Sequence, residues 1–262
     1  GTVACFTILW GLLYSPWALL AHLGVVSMRA PGAALAAVLL AAFLWWNPGQ
    51  SAGFFIGNRT GLLLFVRRES ATSIRTSSTL FREWVYDYLN WVRPRGFLTI
   101  DAYLRTGDRS GIPLRVVTSH LDQVPAQPVG RGRVRQAKEM LEHVSNFDGI
   151  AVLAGDLNCT RLGVPGGTSC GTYELISEQM SDAWQVNSEP CVTWDQVNNP
   201  LAVSKLNDAA YGSIPQWQQQ VDYVFWKHRG CGRARCSSCE VVFKDPVLSD
   251  HYGVLAVLDI VA

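Results

Sequence analysis

Six short apolar runs, each set off by residues that favour turns, constrain this chain more than any other feature. They are Gly61–Val66, Gly96–Tyr103, Leu114–Thr118, Ile150–Ala154, Val221–Trp226 and Gly253–Leu258. Runs of this length between Gly, Ser, Thr and Asn turns read as strands. Most are apolar at successive positions rather than at alternate ones, so both faces of the strand need covering. Between the third and fourth runs, Val134–Val144 has helical spacing, with Val134, Met140, Leu141 and Val144 on one stripe. Strands and helices mixed in this way predict a layered α/β domain. There is no internal repeat and no low-complexity segment.

Net charge bounds the function classes. The 262 residues carry a net charge of +1 and are 48% hydrophobic, which excludes a disordered chain and a uniformly basic nucleic-acid binder. The total hides an asymmetry: Arg59 to Arg135 holds 13 arginines against 6 acids, and Gln136 onward holds 8 basic residues against 15 acids. The arginines fit a solvated face or a contact with an anionic surface, and both readings stay open. The acid-rich part suits a hard divalent cation, which prefers carboxylate oxygens. Seven cysteines, an odd number with no regular spacing, do not make a disulfide framework.

Four motifs close or follow the apolar runs in order: Thr118-Ser119-His120-Leu121, Gly155-Asp156-Leu157-Asn158, Val221-Asp222-Tyr223-Val224-Phe225 and Ser249-Asp250-His251. Strand ends are where open α/β sheets place their ligands. Any one of these motifs alone would more often be a satisfied structural polar group. As a series they resemble the endonuclease/exonuclease/phosphatase family over the last 200 or so residues. That resemblance implies a four-layer α/β sandwich, two packed mixed β-sheets flanked by helices, and metal-dependent hydrolysis of a phosphoester. It implies His251 as the base that takes a proton from water, with Asp222 holding its far ring nitrogen. It also implies His120 and Asn158 as donors to the phosphoryl oxygens, Asp156 near the water or leaving group, and Asp250 at the metal. The ion implied is Mg²⁺, with Mn²⁺ as the alternative.

Members of that family begin with a strand carrying an Asn and a later strand ending in Gln-Glu, whose Glu is the main metal ligand. Neither is recognisable before Gly61–Val66, and Glu69 lies on the wrong side of that run. The expectation is a catalytic domain over 57–262, incomplete at its N-terminal end.

Residues 1–56 are expected to form a separate hydrophobic, helical and membrane-associated segment. Ala4 to Ser27 contains no Asp, Glu, Lys or Arg, long enough to cross a bilayer at about 20 apolar residues, although Pro16 would kink it. A second run, Ala33 to Trp46, is short for a span and ends in Trp45-Trp46, which suits a headgroup zone. A signal peptide, a buried core helix and non-native sequence are the competing readings.

Within the family, softer similarities point to the neutral sphingomyelinases. They are Gly61-Leu62-Leu63-Leu64, Arg95-Gly96-Phe97-Leu98, Val134-Arg135-Gln136-Ala137, Thr193-Trp194-Asp195, Asn199-Pro200-Leu201 and Phe43-Leu44-Trp45-Trp46-Asn47-Pro48. This resemblance implies a phospholipid substrate at a membrane surface, cleaved in the manner of a phospholipase C, with Arg95 and Phe97 contacting it. Phe97, Trp84 and Trp91 would be lipid-facing aromatics, or else core residues. The alternatives are a nuclease using the arginines on phosphate backbone, an inositol-phosphate phosphatase, and a membrane-anchored pseudoenzyme without the metal-ligand Glu.

Two weaker signals complete the sequence. His228, Cys231, Cys236 and Cys239 are soft ligands in what reads as a basic loop, a candidate Zn²⁺ site of irregular spacing or an inert loop. Asn58-Arg59-Thr60 is a glycosylation sequon.

Overall fold

The computed structural model describes residues 2–8, 53–57, 62–82, 95–106, 109–122, 131–161, 171–189, 191–203 and 218–261. The strands are β1 Thr2–Ile8, β2 Gly53–Gly57, β3 Leu63–Arg67, β4 Ala71–Leu80, β5 Gly96–Thr106, β6 Arg109–His120, β7 Gly149–Asp156, β8 Ser181–Asp182, β9 Trp194–Asp195, β10 Gln218–Gln219, β11 Asp222–Arg229, β12 Arg233–Val242 and β13 Gly253–Val261. The helices are α1 Arg131–Ser145, α2 Thr172–Ser177 and the single turn α3 Pro200–Val203. Each apolar run lies on a strand to within a residue or two among the described residues, and the helical stripe falls on α1.

One sheet has the order β4-β5-β6-β7-β11-β8 and a second has β1-β13-β12; β2-β3 and β9-β10 are small two-stranded pairs. The large sheet is mixed, because β6 and β7 run parallel across the α1 crossover while its other pairs are antiparallel. Strand alternation divides its side chains between two cores. Leu114, Val116, Ile150, Val152, Ala154 and Val224 face inward against Ala234, Cys236, Val254, Ala256 and Leu258 of the second sheet. Phe97, Val117, Ala151, Leu153, Tyr223 and Phe225 face outward against Ala137, Met140, Leu141 and Val144 of α1 and Tyr173 and Ile176 of α2. Each large side chain buried this way stabilises the fold by about 1.5–3 kcal/mol. Helix, sheet and second sheet make three of the four expected layers among the described residues. Every residue of β7 is buried, as its unbroken apolar run requires.

Arg115 fastens α1 to the sheet: its guanidinium donates to both Asp101 oxygens at 2.6 and 2.7 Å and to the His143 carbonyl at 2.6 Å. At least one of the arginines in the basic stretch is therefore structural.

Three features depart from the sequence expectation. Thr2–Ile8 is a strand paired antiparallel to β13, not part of a helix; its Thr, Val, Phe and Ile content suits an extended backbone given an edge to join. Residues 9–52 of the expected membrane segment lie outside the described residues, as do Trp84, Trp91 and Asn58. Among the described residues no helix is long and apolar enough to cross a membrane. The polar segment Ala71–Leu80 is the edge strand β4, and the expected basic loop around the cysteines is the strand β12.

Candidate active site

The register of the large sheet places three motif residues in one row. His120 on β6 lies opposite Asp156 on β7, and Asp156 lies opposite Asp222 on β11. All three follow the alternation of the inter-sheet core (Val116, Ala154 and Val224 belong to it), so their side chains open at the end of the sandwich, between the two sheets. His251, just before β13, reaches across from the second sheet. Its Nδ1 is 2.8 Å from Asp222 Oδ2.

Local sequence makes this row close-packed. A Cβ on Gly155 would collide with the Ser119 carbonyl oxygen, and Gly155 has φ +146°, so only glycine lets β6 and β7 approach here. Three residues on, Asn158 adopts φ 47°, the left-handed conformation that Asn tolerates best among residues with side chains. In that turn its N–H donates to Asp156 Oδ1 at 2.9 Å, and its amide donates to the Leu121 carbonyl at 2.9 Å. His120 Nε2 is 3.3 Å from Asp156 Oδ2, so His120, Asp156 and Asn158 form one connected cluster with the Asp222–His251 pair beside it.

Electrostatics follow from burial. Burial pushes the Asp156 carboxyl up to about 7, reinforced by the Asp222 charge and opposed by His251, the Asn158 N–H and Arg95. Burial alone would lower His251, but the Asp222 carboxylate and its hydrogen bond, then Asp156 and Asp250, raise it to about 9. Ligand atoms of Asp156, Asp222 and His251 all lie within 4.8 Å of one another. Asp222 Oδ1 is buried with no hydrogen-bond partner, an uncompensated carboxylate oxygen that costs stability unless a cation meets it. Oxygen donors gathered at this spacing, with one lone pair set unanswered, fit a hard divalent ion. Asp250 accepts from its neighbour Ser249 at 3.0 Å and adds its charge beside His251.

Arg95 lies at this end of the sheet, 16% exposed, donating to the His120 carbonyl at 3.4 Å and lying 3.8 Å from Asp122. Phe97 does not. It is fully buried against Phe81 and His143 on the α1 face, because strand alternation pairs it with Ser119 and turns it away from the His120 side. The expected substrate contact at Phe97 is therefore corrected to a core contact.

Sequence reasoning missed several residues around the cluster. Asp122 is buried two residues beyond His120, accepting from Gln136 at 2.8 Å and through its carbonyl from Arg133 at 3.3 Å. Gln136 appears in the sequence only within the Val134-Arg135-Gln136-Ala137 similarity, with no role of its own. Trp194 packs its ring on His251, centroids 4.7 Å apart, in the Thr193-Trp194-Asp195 motif that carried no assigned role.

The candidate zinc ligands do not converge. Cys236 and Cys239 face the inter-sheet core, brought to the same side by a bulge between Cys236 and Ser238, while Cys231 and His228 are exposed. Burial raises both core thiols, so they stay protonated rather than becoming metal-binding thiolates.

No family model matches the sequence, and no curated protein matches it. The fold does match solved structures. Zebrafish TDP2 (D. rerio) complexed with a single-strand DNA product superposes with a TM-score of 0.58 at 17% identity, covering 84% of this chain and 82% of that one. An endonuclease/exonuclease/phosphatase protein of Bacteroides vulgatus gives 0.53 at 20% identity, covering 80% and 76%. The mannosyl-6-phosphatase Bt3783 of Bacteroides thetaiotaomicron gives 0.51 at 14% identity, covering 80% and 76%. The chain has the endonuclease/exonuclease/phosphatase fold.

Proposed function

We propose that this chain is a metal-dependent hydrolase of phosphodiesters, and the observation that carries the proposal is the Asp222–His251 pair standing beside Asp156 at the open end of the sandwich. His251 Nε2 takes the proton of an attacking water as its oxygen bonds to phosphorus and the ester P–O bond breaks. Asp222 fixes the tautomer through Nδ1–H and steadies the imidazolium that results. His120 and the Asn158 amide donate to the charge gathering on the phosphoryl oxygens, and Arg95 adds a guanidinium at the same sheet end. Asp156 orients the water or the leaving group. A divalent ion, Mg²⁺ or Mn²⁺, would be held by the carboxylates of Asp156 and Asp222 with Asp250 beside them, supplying Lewis acidity and opposing the charge that keeps His251 protonated.

For the substrate, we place a nucleic-acid phosphodiester ahead of a phospholipid. The aromatic expected to touch lipid, Phe97, is in the core, and a fold neighbour was crystallised with a single-strand DNA product. Membrane association through the expected segment 1–56, outside its strands Thr2–Ile8 and Gly53–Gly57, stands as a proposal on composition alone, and vesicle flotation of the full chain tests it. The functional test is a panel of single-strand DNA esters, sphingomyelin micelles and an inositol phosphate, each with Mg²⁺, with EDTA and with His251→Ala. Release of product that requires both Mg²⁺ and His251 supports the hydrolase. Cleavage confined to sphingomyelin would reverse the substrate order, and no His251-dependent cleavage of any member would overturn the proposal.

A further inference from the structure

Asp222 and His251 belong to different sheets, so something must fix the gap between them. Asp222 opens β11 and His251 lies in the loop before β13. The only secondary structure between them along the chain is β11 and β12, which run away from the site and return. Their separation is therefore set by whatever ties the two loop ends together across space.

The segment Thr193–Asn199 does this from both sides. Thr193 is fully buried, and its Oγ1 accepts from the N–H of Val221 at 3.1 Å and of Asp222 at 3.2 Å. Its own N–H donates to the Gln219 carbonyl at 2.9 Å, and its carbonyl accepts from Tyr252 N–H at 2.8 Å. Asn199, also fully buried, donates its amide to the Ser249 carbonyl at 2.8 Å, while its Oδ1 accepts from Leu201 N–H at 2.9 Å and caps α3. Ser249 and Tyr252 flank Asp250-His251. One residue thus holds the backbone of Asp222 by its side chain and the backbone beside His251 by its carbonyl, and a second holds the other side of the His251 loop.

We infer that Thr193, seconded by Asn199, is the positioning residue that sets the Asp222–His251 separation; its catalytic consequence rests on the hydrolase reading above. A hydroxyl serves here because it accepts two backbone N–H groups at once in a site closed to water. Its loss removes the acceptor of the Val221 and Asp222 N–H groups while leaving the Thr193 backbone bonds to Gln219 and Tyr252 in place, so the tie at Asp222 itself is loosened relative to the His251 loop. Displacements of about 1 Å in a catalytic pair are enough to cost about 10²-fold in rate.

Thr193→Val removes the acceptor at nearly constant shape, and Thr193→Ser keeps it. With Mg²⁺ and the substrate that the panel identifies, Thr193→Val should lower kcat by about 10-fold or more. KM should stay within about 2-fold, and Thr193→Ser should restore kcat to within about 3-fold. A second readout needs no turnover: the downfield proton resonance of His251 Nδ1–H, assigned by its absence in His251→Ala. It should be sharp in the wild-type chain and in Thr193→Ser, and broadened or moved upfield in Thr193→Val. Asn199→Ala should move the same resonance from the other side, which keeps the test open if Thr193→Val folds poorly. An unmoved resonance in Thr193→Val and Asn199→Ala overturns the inference, as does an equal loss of kcat in Thr193→Val and Thr193→Ser. A wild-type chain that shows the resonance and its dependence on Thr193 but cleaves nothing would sink the hydrolase reading and leave the positioning role standing.

Discussion

Raising the pH of the metal-free protein should weaken its fold in a window where most proteins hold steady. His251 is raised from 6.5 to about 9 in the folded chain, burial opposing the shift and the Asp222 carboxylate driving it. A raised value means that the folded state binds the proton more tightly than the unfolded one. The contribution is complete below pH 6.5 and is lost as pH climbs through about 9. Asp156, raised from 3.8 to about 7 chiefly by burial, acts with the same sign at lower pH: its contribution is lost between those two values. At about 1.4 kcal/mol per pH unit, His251 alone accounts for on the order of 3 kcal/mol across its window. The His251 shift draws partly on the Asp156 charge, so the two effects overlap and do not simply add. Urea unfolding in EDTA at half-unit steps from pH 5 to 9.5 would measure the decline. Asp222→Asn should flatten the upper part of the curve, because the carboxylate that raises His251 is gone. Saturating Mg²⁺ should flatten it as well, by answering the carboxylates with a cation that does not titrate. Stability that is level or rising between pH 6.5 and 9 in EDTA would refute the electrostatic account of the cluster.

The other predictions concern single positions. His251→Ala should cut Mg²⁺-dependent turnover by about 10²-fold or more in a chain that still folds, and near-normal turnover would sink the mechanism. Gly155→Ala forces a Cβ onto the Ser119 carbonyl and should cost about 2–5 kcal/mol of stability, read as a lowered urea midpoint; a wild-type midpoint would contradict the close approach of β6 and β7. Phe97→Ala should cost about 3–5 kcal/mol by opening a core cavity, and KM for micellar substrate should not move. One equivalent of Zn²⁺ should leave the amide resonances of Cys236 and Cys239 in place, since both side chains point into the inter-sheet core.

What the sequence made legible was the part written in short-range pattern. The apolar runs at Ile150–Ala154 and, after Asp222, at Tyr223–Trp226 read as strands covered on both sides, and they are the central strands β7 and β11. The residues of the site were also legible as polar motifs beside apolar runs, although only His120 and Asp156 close their strands, while Asp222 opens β11 and His251 precedes β13. Their meeting was not, since it depends on the parallel register of β6 and β7 and on two sheets closing face to face. Beta-strand β4 went unread because an edge strand with one buried partner need not be apolar, and Ala71–Leu80 is mostly Ser, Thr and Arg. Beta-strand β12 was hidden by a bulge that breaks the alternation between Cys236 and Cys239. Phe97 was misassigned for a related reason: neighbouring residues on a strand face opposite ways, and composition does not say which way is the core. Thr193, Asn199 and Gln136 act through bonds to backbone far along the chain, which no local pattern announces.

The cross-strand row of His120, Asp156 and Asp222 also bears on how activity is counted in a sample. A slip of any of the three strands by one residue would turn its member of the row to the helix side, so a partly correct sheet has no partly correct site. Molecules in a preparation are then either competent or silent, and specific activity measures the fraction in native register rather than an average quality of folding. During refolding, activity should lag behind the recovery of strand signal and appear together with the burial of Tyr223, whose strand supplies the last residue of the row.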